Sequence, residues 1–272
     1  MLAGGRGSRA VGILERNNVN LRGLGERSMV FAHGFGCDQN MWRMVAPAFE
    51  NNFRTVLFDH VGAGGSDLSA YNAQRYASLD AYADDLVELG RDLELAGAVF
   101  VGHSVSAMIG VLASLKAPGM FADLVLVSPS ARYIDDHGYR GGFSRADIDE
   151  LLASLDDNHL GWSNMMAPVI MGNPDRPELG EELTNSFCRT DTVIARQFAE
   201  VTFLSDNRKD LASVAARTLV IQCRDDAIAP VEVGEHVRDS ITGSEMVLLE
   251  ATGHCPNLSA PDQVIAAIRA FV

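Results

Sequence analysis

Six short apolar runs recur along the chain: MVFAH (29–33), TVLFDH (55–60), AVFVGH (98–103), LVLVSP (124–129), TLVIQC (218–223) and MVLLEA (246–251). They are apolar at successive positions, so both faces must be covered, as they are for strands of a parallel sheet. Helical patterns lie between several of them. LDAYADDLVELGRDLEL sets Leu79, Tyr82, Leu86 and Leu89 on one stripe, and PDQVIAAIRAFV starts with Pro261 near a helix N-terminus and turns Val264, Ile265 and Ile268 inward. Strand alternating with helix predicts a mostly parallel α/β sheet with helices on both faces. Ahead of these runs, ILERNNVNLRGLG has a polar centre and predicts an antiparallel hairpin at the sheet edge.

The alternation stops after Pro129 and resumes near Thr218. Between them, SRADIDELLASL opens with Ser144 as N-cap and Asp147 three residues on, a capping-box arrangement followed by an apolar stripe of Ile148, Leu151, Leu152 and Leu155. RPELGEELTNSF and DTVIARQFAEVTFL predict further helices. A helical block inserted late in an α/β sheet is expected to form a lid over the carboxyl ends of the strands. The 272 residues, 47% apolar, suit one large core carrying such an insertion.

A net charge of −14 argues against nucleic acid and against an anionic membrane surface, both of which need clustered Lys and Arg. No apolar stretch is long enough to span a bilayer. MLAGGRGSRA lacks the apolar core of a secretory signal and is expected to be a disordered tail, which makes a cytoplasmic protein the default. Cys37, Cys188, Cys223 and Cys255 are widely spaced, without a CxxC pair, and are expected to be free thiols with no zinc site.

VFVGHSVSAMIG (99–110) places Ser104 between a strand and a helix start. That is the setting of a nucleophile elbow, G-x-S-x-G, except that Ser106 stands where the last glycine would be. Such a turn strains the serine backbone and requires small neighbours; Gly102 meets this on one side, and Ser106 adds only a hydroxymethyl group on the other. The partners occur in the order serine, acid, histidine: Asp225 and Asp226 follow one strand and His254 follows the next. All three loops leave the same edge of a parallel sheet. A neutral imidazole could then take the serine proton while a carboxylate holds its tautomer. HGFGCDQNMW (33–42), directly after a strand, supplies a glycine-bracketed loop for an oxyanion hole, with the backbone N–H groups of Phe35 and Val105 as donors. His33 is expected to be structural. DHVGAGGSD (59–67) lacks the Gly-Lys-Ser/Thr ending of a phosphate loop and is expected to be a turn beside the site. No cofactor or metal is expected.

HGFGCDQNMW, GHSVSAMIG, NPDRPELGEEL, DTVIARQFA, FLSDNRKDL, IQCRDDAIAP and GHCPNLS resemble the RsbQ group of α/β-hydrolases from about residue 14 to the C-terminus. That group is similar to the plant karrikin and strigolactone receptor hydrolases, which share the serine-for-glycine elbow. The resemblance implies an α/β-hydrolase fold with a four-helix lid at about 132–204 between core halves at 1–131 and 205–272. Position by position it implies Ser104 as nucleophile, Asp226 rather than Asp225 as acid, and His254 as base. It also implies a small apolar pocket, which Phe35, Tyr133, Trp162, Phe198 and Phe203 are expected to line, and a small hydrophobic ester or lactone as ligand. A role as positive regulator of a stress sigma factor, with a PAS-domain phosphatase as partner, follows from the same likeness.

Overall fold

The computed structural model describes residues 12–272; the expected tail at 1–10 lies outside the described residues. Seven strands form one sheet: β1 (Asn20–Arg22), β2 (Arg27–Ala32), β3 (Phe53–Leu57), β4 (Ala98–His103), β5 (Phe121–Val127), β6 (Arg217–Asp225) and β7 (Glu245–Thr252). Their order is β1-β3-β2-β4-β5-β6-β7, parallel throughout except for β1, which runs antiparallel to β3.

The absence of apolar/polar alternation has the consequence expected of it. Met29 and Phe31 of β2, Val99 and Val101 of β4 and Val125 and Val127 of β5 enter one core. Their alternating neighbours Val30, Ala32, Phe100, Leu124 and Leu126 enter a second core on the other face. Helices α2 (Leu79–Asp92), α3 (Val105–Lys116) and α9 (Val231–Ser240) cover that second face, and α11 (Pro261–Phe271) lies on the first. The fold is the expected doubly covered α/β sheet.

The expected hairpin does not form. Ile13–Arg16 is a single helical turn, α1, and only Asn20–Arg22 joins the sheet. Ile13 is buried, Arg16 bonds Asp85 and Glu88 of α2 at 2.9 and 2.8 Å, and the Asn17 amide donates to the Asp59 carbonyl at 3.0 Å. Docking on α2 outweighs a local alternation that is too short to choose between helix and strand.

Between β5 and residue 204 lie four helices, α4 (Arg145–Asp157), α5 (His159–Met171), α6 (Pro177–Arg189) and α7 (Thr192–Phe203). The capping box at α4 is reciprocal: the Asp147 N–H donates to Ser144 Oγ at 3.1 Å, and the Ser144 N–H donates to Asp147 Oδ2 at 2.7 Å. One-turn helices α8 (Arg208–Leu211) and α10 (Pro256–Ser259) complete the chain. No helix among the described residues is long and apolar enough to cross a membrane.

Candidate active site

Ser104 sits in the one-residue turn between β4, the central strand, and α3. Its φ of 56° and ψ of −123° are strained for a residue with a side chain, and its N–H is pinned to the Val127 carbonyl at 2.8 Å. Crowding accounts for Gly102: a Cβ there would lie 2.6 Å from both the Ser106 carbonyl oxygen and the Phe100 ring. Gly102→Ala must therefore push α3 off β4. A loss of roughly 1–3 kcal/mol is expected, read as a lower midpoint in urea unfolding.

His254 follows β7 by two residues and Asp226 follows β6 directly, so both reach the strand end that carries Ser104. His254 Nε2 is 2.7 Å from Ser104 Oγ, and His254 Nδ1 is 2.7 Å from Asp226 Oδ2. Asp226 Oδ1 accepts the Ile228 and Ala229 N–H groups at 2.8 and 3.0 Å, which fixes the carboxylate plane. The His254 loop is tied down by the Gly253 N–H to the Asp225 carbonyl (2.7 Å) and the His254 N–H to the Ile170 carbonyl (2.8 Å). Ser104, Asp226 and His254 are all buried, whereas the Asp225 side chain is exposed and its backbone carbonyl only braces the loop. Geometry thus separates two acids that spacing leaves equivalent.

Val105 is the first residue of α3, so its amide has no carbonyl a turn earlier to bond. Phe35 lies on the loop after β2, and among the described residues neither amide donates to a backbone carbonyl. Gly36, at φ 67°, lets this loop turn against the insert: a Cβ there would lie 2.1 Å from the Phe187 ring. The Phe35 ring meets Trp162 of α5, Phe187 of α6, and Phe198 and Phe203 of α7 at centroid distances of 5.8–6.2 Å.

A cavity of about 30 Å³ lies over Ser104 and His254. Of the expected lining residues, Phe35, Tyr133 and Phe203 face it, while Trp162 and Phe198 stand behind Phe35. Ile170, Leu183 and Phe187 of the insert, with Thr202 and Ile228, complete the wall, and none of these was singled out by the sequence. The Tyr133 hydroxyl is 3.4 Å from Ser104 Oγ, and burial holds its pKa above the usual phenol range. Cys37 and Cys255 also line the cavity. Burial pushes the Cys37 thiol up to about 12 and raises Cys255 as well, so neither is a thiolate that competes with Ser104 at neutral pH. All four cysteines are unpaired.

Three further histidines surround the elbow, and sequence reasoning assigned no site role to any of them. His103 Nε2 donates to the His254 carbonyl at 2.7 Å; burial, and then the nearby His254, lower its pKa to about 3. His60 Nε2 is 2.7 Å from Ser106 Oγ, and burial, with His33 adding to it, holds its pKa well below the usual imidazole range. His33 accepts the His60 N–H at 3.0 Å, the structural part expected of it. The pair Ser106–His60 is not a second triad: the Ser106 hydroxyl donates to the His33 carbonyl, and no carboxylate bonds His60 among the described residues. DHVGAGGSD is a turn closed by Asp59, which accepts the Gln39 and Gly65 N–H groups at 2.8 Å each.

The chain is 36% identical over 260 residues to a karrikin insensitive 2 receptor of Petunia hybrida, covering 95% of this chain and 96% of that one. It is 37% identical to a strigolactone esterase of Arabidopsis thaliana, with 94% and 96% covered. Among solved structures, a hydrolase from Oleispira antarctica superposes with a TM-score of 0.90 at 39% identity, covering 94% and 96% of the two chains. The model of the alpha/beta hydrolase family matches residues 29–267. On fold, family model and relatives together, the chain belongs to the alpha/beta hydrolase family, and is a hydrolase.

Proposed function

We propose that the protein hydrolyses small, largely apolar carboxylic esters or lactones through an acyl-serine. The observation that carries this is the continuous hydrogen-bonded path from Ser104 Oγ through His254 to Asp226, opening on an apolar cavity. Ser104 Oγ attacks the carbonyl carbon while His254 Nε2 takes its proton, and Asp226 holds the Nδ1–H and offsets the imidazolium charge. The Phe35 and Val105 amides receive the carbonyl oxygen as it becomes an oxyanion. His254 returns the proton to the leaving alkoxide, and a water then repeats the sequence on the acyl-serine.

The cavity is narrow at its present size, so the acyl side must be short unless Phe35 and the insert move. On p-nitrophenyl esters, kcat/KM is expected to fall steeply from acetate to hexanoate. Mass spectrometry of the intact protein with a fluorophosphonate should show one adduct, on the Ser104 peptide, absent from Ser104→Ala. An adduct that persists in Ser104→Ala would overturn the assignment.

A second reading is favoured by the receptor names among the relatives and by the Phe35 ring, which joins one oxyanion donor to three insert helices. In it, residues 132–204 act as a lid whose position reports acylation, hydrolysis is slow, and a partner binds in response. An RsbQ-like role in the cytoplasm, with a PAS-domain phosphatase as partner, is its concrete form. A pull-down with that phosphatase, with and without a covalent Ser104 inhibitor, tests it; equal capture in the two states counts against it.

A further inference from the structure

We propose that Ser106 is a positioning residue, which sets the distance between the two oxyanion donors by tying the Phe35 loop to the start of α3. The inference rests on the serine-hydrolase reading above and concerns how its oxyanion site is held.

The Ser106 hydroxyl occupies a position where the commoner motif has no side chain at all. Ser106 is wholly buried, and its Oγ donates to the His33 carbonyl while lying 2.7 Å from His60 Nε2. With its one hydrogen committed to His33, Oγ must accept from His60, which fixes His60 as the neutral Nε2–H tautomer. His33 accepts the His60 N–H at Nε2, so its own hydrogen is on Nδ1, 2.8 Å from the Gly34 carbonyl. Every hydrogen shared within the Ser106–His60–His33 set is thus assigned without conflict, and His60 is absent from the residues that line the cavity.

Its value lies in where the two ends are anchored. Ser106 directly follows Val105, one donor, and His33 precedes Phe35, the other, by two residues. A single hydroxyl therefore closes a short loop through both amides: Val105, Ser106 Oγ, the His33 carbonyl, Gly34, Phe35. The Phe35 loop is also held within itself, by the Gly34 N–H to the Met41 sulfur at 3.4 Å and the Cys37 N–H to the Gly34 carbonyl at 3.3 Å. Against the insert it is held by Ser186 Oγ, which donates to the Gly36 carbonyl at 2.7 Å, and by the Phe35 ring, but none of these contacts ties it to α3. With glycine or alanine at 106, the His33 carbonyl and the His60 Nε2–H lose their shared partner inside the protein. The Phe35 amide then loses its direct tie to the start of α3 and can shift relative to Val105.

Loss of one donor in such holes costs roughly 10²–10³ in kcat, and a drifting donor costs a part of that. Ser106→Ala is therefore expected to lower kcat on p-nitrophenyl acetate by about 10–100-fold, with KM within about threefold of wild type, because the donor acts on the transition state. The inhibition constant of a trifluoromethyl ketone, whose adduct places an oxyanion in the same site, should rise by the same factor, while that of the methyl ketone stays put. Wild-type kcat in Ser106→Ala, or a change confined to KM, overturns the proposal.

Should Ser106→Ala not fold, Ser106→Gly and Ser106→Thr decide. Threonine keeps the hydroxyl that donates to the His33 carbonyl, so kcat lost in Ser106→Gly and restored in Ser106→Thr supports the proposal, and equal kcat in the two overturns it. Ser104→Ala, measured alongside, keeps the two questions apart. Retained turnover there would remove the serine-hydrolase reading itself, whatever Ser106→Ala shows.

Discussion

Asp226→Asn is expected to cut kcat by about 10⁴-fold, the scale seen when a triad carboxylate becomes an amide, while Asp225→Asn stays near the wild-type rate. The size follows from which atom goes where. Oδ1 of Asp226 accepts two backbone N–H groups, from Ile228 and Ala229, so an asparagine must keep its oxygen at that position. Its NH₂ is then forced into the Oδ2 position, facing His254 Nδ1 at about the present 2.7 Å. A donor there makes Nδ1 the acceptor and places the imidazole proton on Nε2, the nitrogen that should receive the Ser104 proton. The serine loses its base although every atom remains close to its place. Asp225 has an exposed side chain and contributes to this region only through its backbone carbonyl, which asparagine keeps. Steady-state kinetics on p-nitrophenyl acetate measures both variants; comparable losses in the two would mean that the acid has been assigned to the wrong residue.

That contrast marks the limit of what the sequence could say about the site. A strand, a turn and a helix start are local patterns, so the context of Ser104, five of the six apolar runs as buried strands and the Ser144–Asp147 cap were legible. The sixth run, MVLLEA, is the edge strand β7, with only Leu249 buried. Spacing did not choose between the two adjacent aspartates, a choice that came only with the family resemblance, because it depends on a bulge: the pairing of β6 with β7 shifts register between Cys223 and Asp225. Helix α5 left no periodic pattern either, and only the resemblance to a four-helix lid implied it. Trp162, Met166, Val169 and Ile170 spread apolar groups around it and Pro168 interrupts it, so no single stripe stands out. The cavity wall was hidden for a related reason. On the amphipathic helix α6, Leu183 and Phe187 lie on the buried face, and facing a cavity leaves the same imprint on a sequence as packing a core. The histidines around the elbow carried no pattern at all, since β2, β3 and β4 bring them together from residues 33, 60 and 103.

His60 and His103 are expected to make the protein acid-sensitive well above the pH at which carboxylates titrate. The prediction is that unfolding free energy falls by about 1.4 kcal/mol per pH unit through His103 as pH drops below about 6.5, with His60 adding to the fall. His103 has a pKa of about 3 in the folded protein against 6.5 for the free side chain, and His60 is shifted in the same direction by burial. Below 6.5 the unfolded chain therefore binds protons that the folded one refuses, and stability declines until the pH reaches the folded values. Above 6.5 neither state takes the proton, and this contribution is constant. His103 alone, acting from pH 6.5 to 4.5, removes about 2–3 kcal/mol of the 5–15 kcal/mol that holds a typical domain together, and His60 acts in the same direction. Carboxylates with lowered pKa, such as Asp206 at about 2 beside Arg208, lose their contribution only as pH falls below the normal range of an unfolded aspartate, near 3.8. The interval from 6.5 to 4.5 thus belongs to the histidines. Urea unfolding at pH 6.5, 5.5 and 4.5 should show the fall, and His103→Gln should flatten it by about one proton's worth, whatever its effect at pH 7. A wild-type protein equally stable at all three pH values would show that His60 and His103 accept protons in place, contrary to the neutral network drawn around Ser106.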